Sequence, residues 1–354
     1  MVYKYKHFIP QNIAPSGAKS IGVYNQNSEK ICTIPLDRLA PTTKEKLYSF
    51  GLLADIHLFH LPASWNPNPK FDNALTYFDN KKCAMCIIAG DLTQAGFYMD
   101  KTENGVTTYY YDEGQFAVYE EICNKHTTTV YELCGNHESM FSKPITDNLA
   151  KLKTYTGKGV LSYTISNNIS SEKNEQVLDI GDDLFILLGQ PTGSEVMSDT
   201  DFQWLCETLE ANKNRRCFLF VHAYIEEDSG DPLDVRENSI FEYWGATKKT
   251  AFMNLIKQYE NIILFHGHSH MKFQYQELDK SANYTNKNGF KSVHIPSLST
   301  PRDIDIENNK SVDDRSASQG YIVDVYDDCI VLTGMDFINE IPIPVGTYRI
   351  NTTL

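Results

Sequence analysis

Five short apolar runs in this chain stop in the same way, each on residues that bind metal ions. Leu52-Leu53-Ala54 ends on Asp55-Ile56-His57, and Ile87-Ile88-Ala89 ends on Gly90-Asp91. The run 129–133 ends on Cys134-Gly135-Asn136-His137-Glu138, the run 217–221 on His222, and Ile262-Ile263-Leu264-Phe265 on His266-Gly267-His268-Ser269-His270. A bounded run of this length reads as a buried strand, and a glycine after it lets the backbone turn sharply, so the polar residue stands at the strand's C-terminal edge. That edge is where open α/β sheets place ligands. Asp91 is the best candidate to bridge the other positions.

Between the runs the hydrophobic period changes from strand to helix. Phe71, Leu75 and Phe78 share one helical face, as do Phe116, Tyr119 and Ile122. Phe202, Leu205 and Leu209 follow the capping candidates Ser198, Asp199 and Thr200, and a further helix holds Phe252, Ile256 and Tyr259. A tyrosine-rich polar insert at 97–112 interrupts this rhythm, and the polar stretch 157–180 reads as a loop or hairpin tip. After 272 the pattern turns to strands alone, at 291–295, 321–325 and 330–332, which implies a second sheet packed on the first. Residues 1–45 stand apart as an N-terminal extension. They hold a possible hairpin, 21–24 and 31–34 around Asn25-Gln26-Asn27-Ser28, with the look of a docking arm.

A chain of 354 residues with 41% hydrophobic content can bury a sizeable core. Its formal net charge of −14 argues against a nucleic acid partner, because phosphate backbones are held chiefly by Lys and Arg. No stretch approaches the roughly 18 apolar residues of a membrane helix, and Met1 to His7 carry no apolar leader, so a cytoplasmic chain without membrane contact is expected. The eight cysteines lack disulfide-like spacing, which suits a reducing compartment. Cys83-Ala84-Met85-Cys86 lies inside an apolar run and reads as a buried pair rather than a redox or zinc site.

Neutral imidazoles, carboxylates and an amide oxygen suit Zn, Mn or Fe, and the lack of a thiolate among them disfavours a closed structural zinc site. These ligands are too many for one ion, so two are indicated. In a strand, residues i and i+2 face the same side, so Asp55 with His57, and His268 with His270, are each expected to aim two ligands at one cavity.

Asp-x-His, Gly-Asp, Gly-Asn-His-Glu, a lone His and Gly-His-x-His, in this order, resemble the calcineurin-like metallophosphoesterase family over about residues 49–272. The resemblance implies a four-layer α/β/β/α sandwich, two mixed sheets flanked by helices, occupying residues 46–354. It also implies a phosphoesterase with two divalent metal ions. Carried over residue by residue, Asp55, His57 and His270 hold the first metal and Asn136, His222 and His268 the second, while Asp91 bridges both. The ions share a hydroxide that attacks phosphorus, and they clamp the phosphoryl oxygens. His137, spared from coordination, protonates the leaving group, and Glu138 orients it; Asn136 and His137 meet the substrate. Relatives with a tyrosinate on ferric iron carry it three residues after the motif aspartate, where this chain has Gln94, so that ferric site is not expected.

Plainer readings stand beside these. An isolated histidine such as His222 is ordinarily a hydrogen-bonded interior residue, and only the company of the other motifs makes it a ligand. His60, His126, His266 and His294 have no motif position and read as structural, His266 and His294 as supports behind the ligands. Arg302, in Ser297-Leu298-Ser299-Thr300-Pro301-Arg302, reads either as a phosphate grip or as a surface salt bridge. The expected substrate is a small phosphate ester, with a diester favoured over a monoester by the acidic stretch 226–237 beside His222. A nuclease of the same family and a scaffold in a larger assembly are the alternatives; the complete ligand set opposes the scaffold.

Overall fold

The structure of the chain is a computed structural model describing residues 20–24, 30–35, 44–60, 66–94, 98–104, 106–111, 114–139, 162–170, 177–189, 199–224, 240–274, 283–286, 289–305 and 310–352. In chain order the strands are β1 (Ser20–Tyr24), β2 (Lys30–Pro35), β3 (Tyr48–Leu53), β4 (Met85–Ile88), β5 (Tyr98–Glu103), β6 (Val106–Tyr111), β7 (Val130–Glu132), β8 (Ser162–Ser170) and β9 (Val177–Leu188). They continue with β10 (Cys217–Phe220), β11 (Ile262–His266), β12 (Tyr284–Thr285), β13 (Lys291–His294), β14 (Arg302–Asp305), β15 (Lys310–Asp313), β16 (Gln319–Val325), β17 (Cys329–Asp336) and β18 (Ile341–Asn351). The helices are α1 (Asn68–Lys81), α2 (Gly114–Lys125), α3 (Asn136–Ser139), α4 (Asp199–Ala211) and α5 (Ile240–Ile256).

Two six-stranded mixed sheets form the body, in the orders β18-β17-β16-β3-β4-β7 and β12-β13-β11-β10-β9-β8. Alternation along each strand makes the layers. Phe50 and Leu52 of β3 and Met85 and Ile87 of β4 face inward, against Phe185, Phe218, Phe220 and Phe265 of the other sheet. Their neighbours Leu53, Cys86 and Ile88 face outward onto Phe71, Leu75 and Phe78 of α1 and Phe116 of α2. In the second sheet Leu219, Leu264 and Ile186 turn out onto Leu205 and Leu209 of α4 and Phe252 of α5. The four-layer α/β/β/α order expected from the resemblance is therefore present. Gly51 interrupts β3 for a packing reason, since a Cβ there would lie 2.4 Å from the Phe78 ring. Cys83 and Cys86 are free and buried against the helices, and burial pushes the Cys83 thiol up to about 12, as an inert pair requires.

One expectation needs correction. The strand at 291–295 does not join those at 321–332 in a separate sheet: β13 pairs in parallel with β11, while β16 adds to β3 antiparallel. Local sequence marks a strand but not its partner, which only the closing of the chain decides. In the described part of the polar stretch 157–180, read as a loop or hairpin tip, β8 pairs antiparallel with β9, as a hairpin requires, and in the insert at 97–112 β5 pairs antiparallel with β6. The hairpin expected near the N-terminus is present as β1 with β2. Ser198 and the acidic stretch 226–237 lie outside the described residues. Among the described residues no helix is long and apolar enough to cross a membrane.

At the edge of the sheets opposite the ligand loops, a buried clasp ties the two layers. Arg216 Nε and Nη2 donate to the two Asp183 carboxylate oxygens at 2.8 and 2.6 Å, and Tyr48 OH donates to Asp183 Oδ2 at 2.5 Å. Arg216 Nη1 also donates to Tyr326 O at 2.6 Å and Thr352 Oγ1 at 3.0 Å. Removing one partner of a buried pair strands the other charge, so Arg216→Met is expected to cost about 3 to 5 kcal/mol in urea unfolding. A loss below about 1 kcal/mol, the range of an exposed pair, would show that the clasp does not hold the layers.

Candidate metal centre

The ligand residues do stand just past the strands, but strand alternation does not pair them. β3 ends at Leu53 and β11 at His266, and beyond them Asp55, His57, His268 and His270 have φ of 54°, 44°, 69° and 61°. Asp91, past β4, has φ 54°. A left-handed turn at a non-glycine residue costs about 1 to 3 kcal/mol and persists only when its surroundings hold it. Here the loops hold one another. Asp55 N–H donates to Gly90 O at 3.1 Å, His57 N–H to Asp91 O at 3.0 Å, and Leu58 N–H to Leu92 O at 2.9 Å. The i and i+2 ligands converge because both lie in the left-handed region of pinned loops.

The glycines before the ligands have a steric reason. A Cβ on Gly90, whose φ is 91°, would lie 2.5 Å from His222 Nδ1. On Gly135 it would lie 2.1 Å from Asp91 Oδ1, and on Gly267 2.8 Å from Asp55 Oδ2. Each glycine thus leaves room for a ligand that comes from another motif.

Two donor groups result. Asp55, His57, Asp91 and His270 each offer one ligand atom within 4.8 Å of the others, and Asp91, His222 and His268 do the same, so Asp91 belongs to both. In the first group His57 Nε2 is 3.1 Å from His270 Nε2, which is 3.1 Å from Asp55 Oδ1. In the second, His222 Nε2 is 3.2 Å from Asp91 Oδ1, 2.9 Å from Asn136 Oδ1 and 3.1 Å from His268 Nδ1. The structure brings all seven expected ligand residues together.

These donors fit a metal better than they fit one another. His222 donates its Nδ1 proton to Ala89 O at 2.8 Å, and His270 directs Nδ1 at Thr300 Oγ1 and O at 3.1 and 3.3 Å, so both turn Nε2 inward. Asp55 Oδ1 is buried, and among the described residues no hydrogen-bond donor reaches it. Burial, reinforced by the His137 charge for His57 and by the Arg302 charge for His270, holds both rings well below the usual histidine range. Burial and the His222 charge push His268 down to about 3. Only His222 is raised, to about 9, because Asp91 and Asp55 outweigh its burial. Burial alone would raise Asp91, yet His222 and His137 hold it well below the carboxylate range. Two buried carboxylates demand a cation here, and neutral imidazoles are the ligands to hold one.

Supporting side chains surround the donors. Glu138 knits backbone: Oε1 accepts from Thr93 N–H and Oγ–H at 3.0 and 3.1 Å, and Oε2 from Asp91 and Gly135 N–H at 3.1 and 2.9 Å. The His137 ring is oriented by Gln94, whose carbonyl oxygen accepts its Nδ1 proton, and His137 N–H donates to Asp91 Oδ1 at 2.9 Å. Arg302 takes the salt-bridge reading, though buried. Its Nε donates to Asp313 Oδ1 at 2.9 Å and its Nη1 to Ser269 O at 3.3 Å. Of the histidines read as structural, His126 faces Asp79 and Asp72 at 3.0 and 2.9 Å, and His60 fills the space beside Gly114.

The sequence reading missed the hydroxyls at 297–300. Ser297 Oγ–H and Ser299 Oγ–H donate to Asp55 O at 2.9 and 2.8 Å, while Thr300 supports His270. The run Ser297-Leu298-Ser299-Thr300 was the available signal, dense in short donors after an apolar strand.

Sequence and fold comparisons agree with this geometry. The family model described as calcineurin-like phosphoesterase matches residues 48–272, and the chain belongs to that family. No curated protein matches it in sequence. A dimetal phosphatase from Danio rerio shares the fold with a TM-score of 0.57 at 12% identity, over 87% of this chain and 100% of that one. GAP50, described as the anchor in the inner membrane complex of Plasmodium, does so with a TM-score of 0.53 at 11% identity, over 88% and 90%.

Because Asp91 serves both donor groups, Asp91→Asn is expected to lower metal content more than His270→Ala, which removes a donor from one group. Elemental analysis of the purified variants measures this. Asp91→Asn protein that keeps the wild-type metal content would remove Asp91 from the centre of the site.

Proposed function

We propose that the chain is a dinuclear metal-dependent phosphoesterase. In this reading Asp55, His57 and His270 hold one divalent ion, Asn136, His222 and His268 hold a second, and Asp91 is shared. The observation that carries it is the meeting of two donor groups at one buried carboxylate. The oxygen and nitrogen donors suit Mn, Zn or Fe. When bound, such a pair supplies Lewis acidity toward a phosphoryl oxygen and a water of lowered pKa as nucleophile.

The chain's own residues do the rest. Asp55 and Asp91 supply the negative charge that retains the ions, and the three glycines keep the ligand space open. His137 is the general acid. Gln94 holds its Nδ1, so Nε2 turns toward the centre, 3.9 Å from Asp91 Oδ2, and its side chain keeps 22% exposure, enough to meet a substrate. Asn136, beside it on α3, is buried with its amide oxygen at His222.

A diester is the proposed substrate class. Glu226, Glu227 and Asp228 follow His222 closely in sequence, and a monoester dianion meets more repulsion there than a diester monoanion. The net charge of −14 works against a nucleic acid substrate. The same fold serves as an anchor in GAP50, and the filled ligand positions are what favour catalysis over that role in this chain.

Two outcomes test the proposal. Matched diesters are expected to be hydrolysed faster than monoesters by metal-loaded protein, and monoesters ahead by about tenfold would reverse the substrate class. General acid catalysis typically contributes about 10² to 10⁴ in rate, so His137→Ala is expected to lose that much kcat/KM on an alkyl ester and far less on a nitrophenyl ester, whose leaving group needs no proton. Equal losses on both esters, or a lost metal, would sink the acid assignment.

A further inference from the structure

Ser269 occupies an unusual place: it separates His268 of one donor group from His270 of the other, and both neighbours have left-handed backbone. A three-residue turn with two such residues does not hold its own shape. Ser269 N–H donates to Gly267 O at 2.9 Å, which tightens the turn, and Arg302 Nη1 donates to Ser269 O at 3.3 Å from one side. On the other side the Ser269 hydroxyl accepts from Met271 N–H at 3.4 Å and shares a hydrogen bond with His294 Nε2 at 2.8 Å.

His294 is anchored independently of that turn. It ends β13, in register with His266 of β11, and it is fully buried. Its N–H donates to Asn283 O at 2.8 Å, and its carbonyl oxygen accepts from Tyr321 OH at 3.1 Å, so strands of both main sheets fix its backbone. A fully buried polar ring is costly unless its hydrogen bond matters, and it belongs to neither donor group. We propose that His294 is a positioning residue for both metal ions: through Ser269 it sets the turn that presents His268 to one ion and His270 to the other. The inference rests on the dinuclear reading above. It differs from the support given by Thr300, which reaches His270 alone, and by Ala89, which reaches His222 alone.

The test counts and titrates metal in the full chain. Mn and Co(II) affinities are measured by chelator competition for wild type, Ser269→Ala, His294→Phe, His294→Gln, Thr300→Val and Asp91→Asn, with the visible spectrum of the Co(II) forms and the melting midpoint of each metal-free protein. Loss of a residue that orients ligands typically costs about 10- to 100-fold in metal affinity, so Ser269→Ala and His294→Phe are expected to weaken both ions by that factor and to alter the Co(II) spectrum. His294→Gln, whose amide can meet the Ser269 hydroxyl, is expected to restore both, and Thr300→Val to weaken one ion only. A merely structural role would lower the metal-free melting midpoints and leave both affinities unchanged, and that result overturns the proposal. Should His294→Phe not fold, Ser269→Ala decides, since it removes one oxygen atom. If Asp91→Asn loses metal while Ser269→Ala and His294→Phe do not, this inference alone falls; if Asp91→Asn also keeps both ions, the dinuclear reading falls and takes the inference with it.

Discussion

The ligand edge is governed by one electrostatic problem. Asp55 and Asp91, both buried, lie among the imidazoles of His57, His222 and His270 and beside the Asn136 amide oxygen. Charges of one sign in a site of low dielectric repel strongly, and unshared acceptors stripped of water are costly. Such a cluster forms only if the remaining structure forces it. The force is visible in the backbone: five ligand residues in left-handed turns, glycines cut back wherever a Cβ would strike another ligand, and Glu138 holding the loops after β4 and β7 by their N–H groups. A bound cation converts that strain into affinity, which is why stored strain and metal sites coincide.

The two sheets divide the task. Asp55 and His57 follow β3, Asp91 follows β4 and Asn136 follows β7, all in one sheet; His222 follows β10 and His268 and His270 follow β11, in the other. The seam between them is stitched locally. Ala54 bridges Ser297, Gly267 N–H donates to His222 O, and Gly90 packs against the His222 ring. The interlayer core behind the seam is aromatic, with Phe185 and Phe218 stacked at 4.7 Å and Phe50 edge-on to both. Large rigid rings resist sliding of one layer over the other, and a sub-ångström shift there would separate donors that must meet within bonding distance.

How far this was legible in the sequence varies by residue for physical reasons. Asp55, Asp91, His222 and the others were readable because metal chemistry restricts donor types and because an apolar run followed by glycine is a local signal. The four layers were expected only through the resemblance; the alternation that builds them, as from Met85 to Ile88, shows in the structure. The partner of β13 was not readable, because pairing between distant strands leaves no trace in either strand. The partners of Glu138 and Arg302 were not readable for a related reason: of the two readings open to Arg302 only the fold selects the salt bridge, and only the fold reveals that Thr93, Gly135, Asp313 and Ser269 engage these side chains. The hydroxyls at 297–300 were overlooked since serine and threonine are common in loops, and support of a ligand from behind has no fixed spacing.

Because the donors come from both sheets, metal binding cross-links them, and binding energy becomes folding energy. The extent is limited by what else joins the layers. In small metal-folded domains the ions are the core, and removing them unfolds the chain. Here the Arg216, Asp183 and Tyr48 clasp ties the opposite edge without metal, and the aromatic interlayer lies between clasp and ligands. The metal-free chain therefore keeps its layers, and ions add stability by mass action, about 2.7 kcal/mol for one site at a free concentration 100 times its dissociation constant. What bound ions would change most is the ligand edge itself, where the left-handed turns at Asp55, His57, Asp91, His268 and His270 converge.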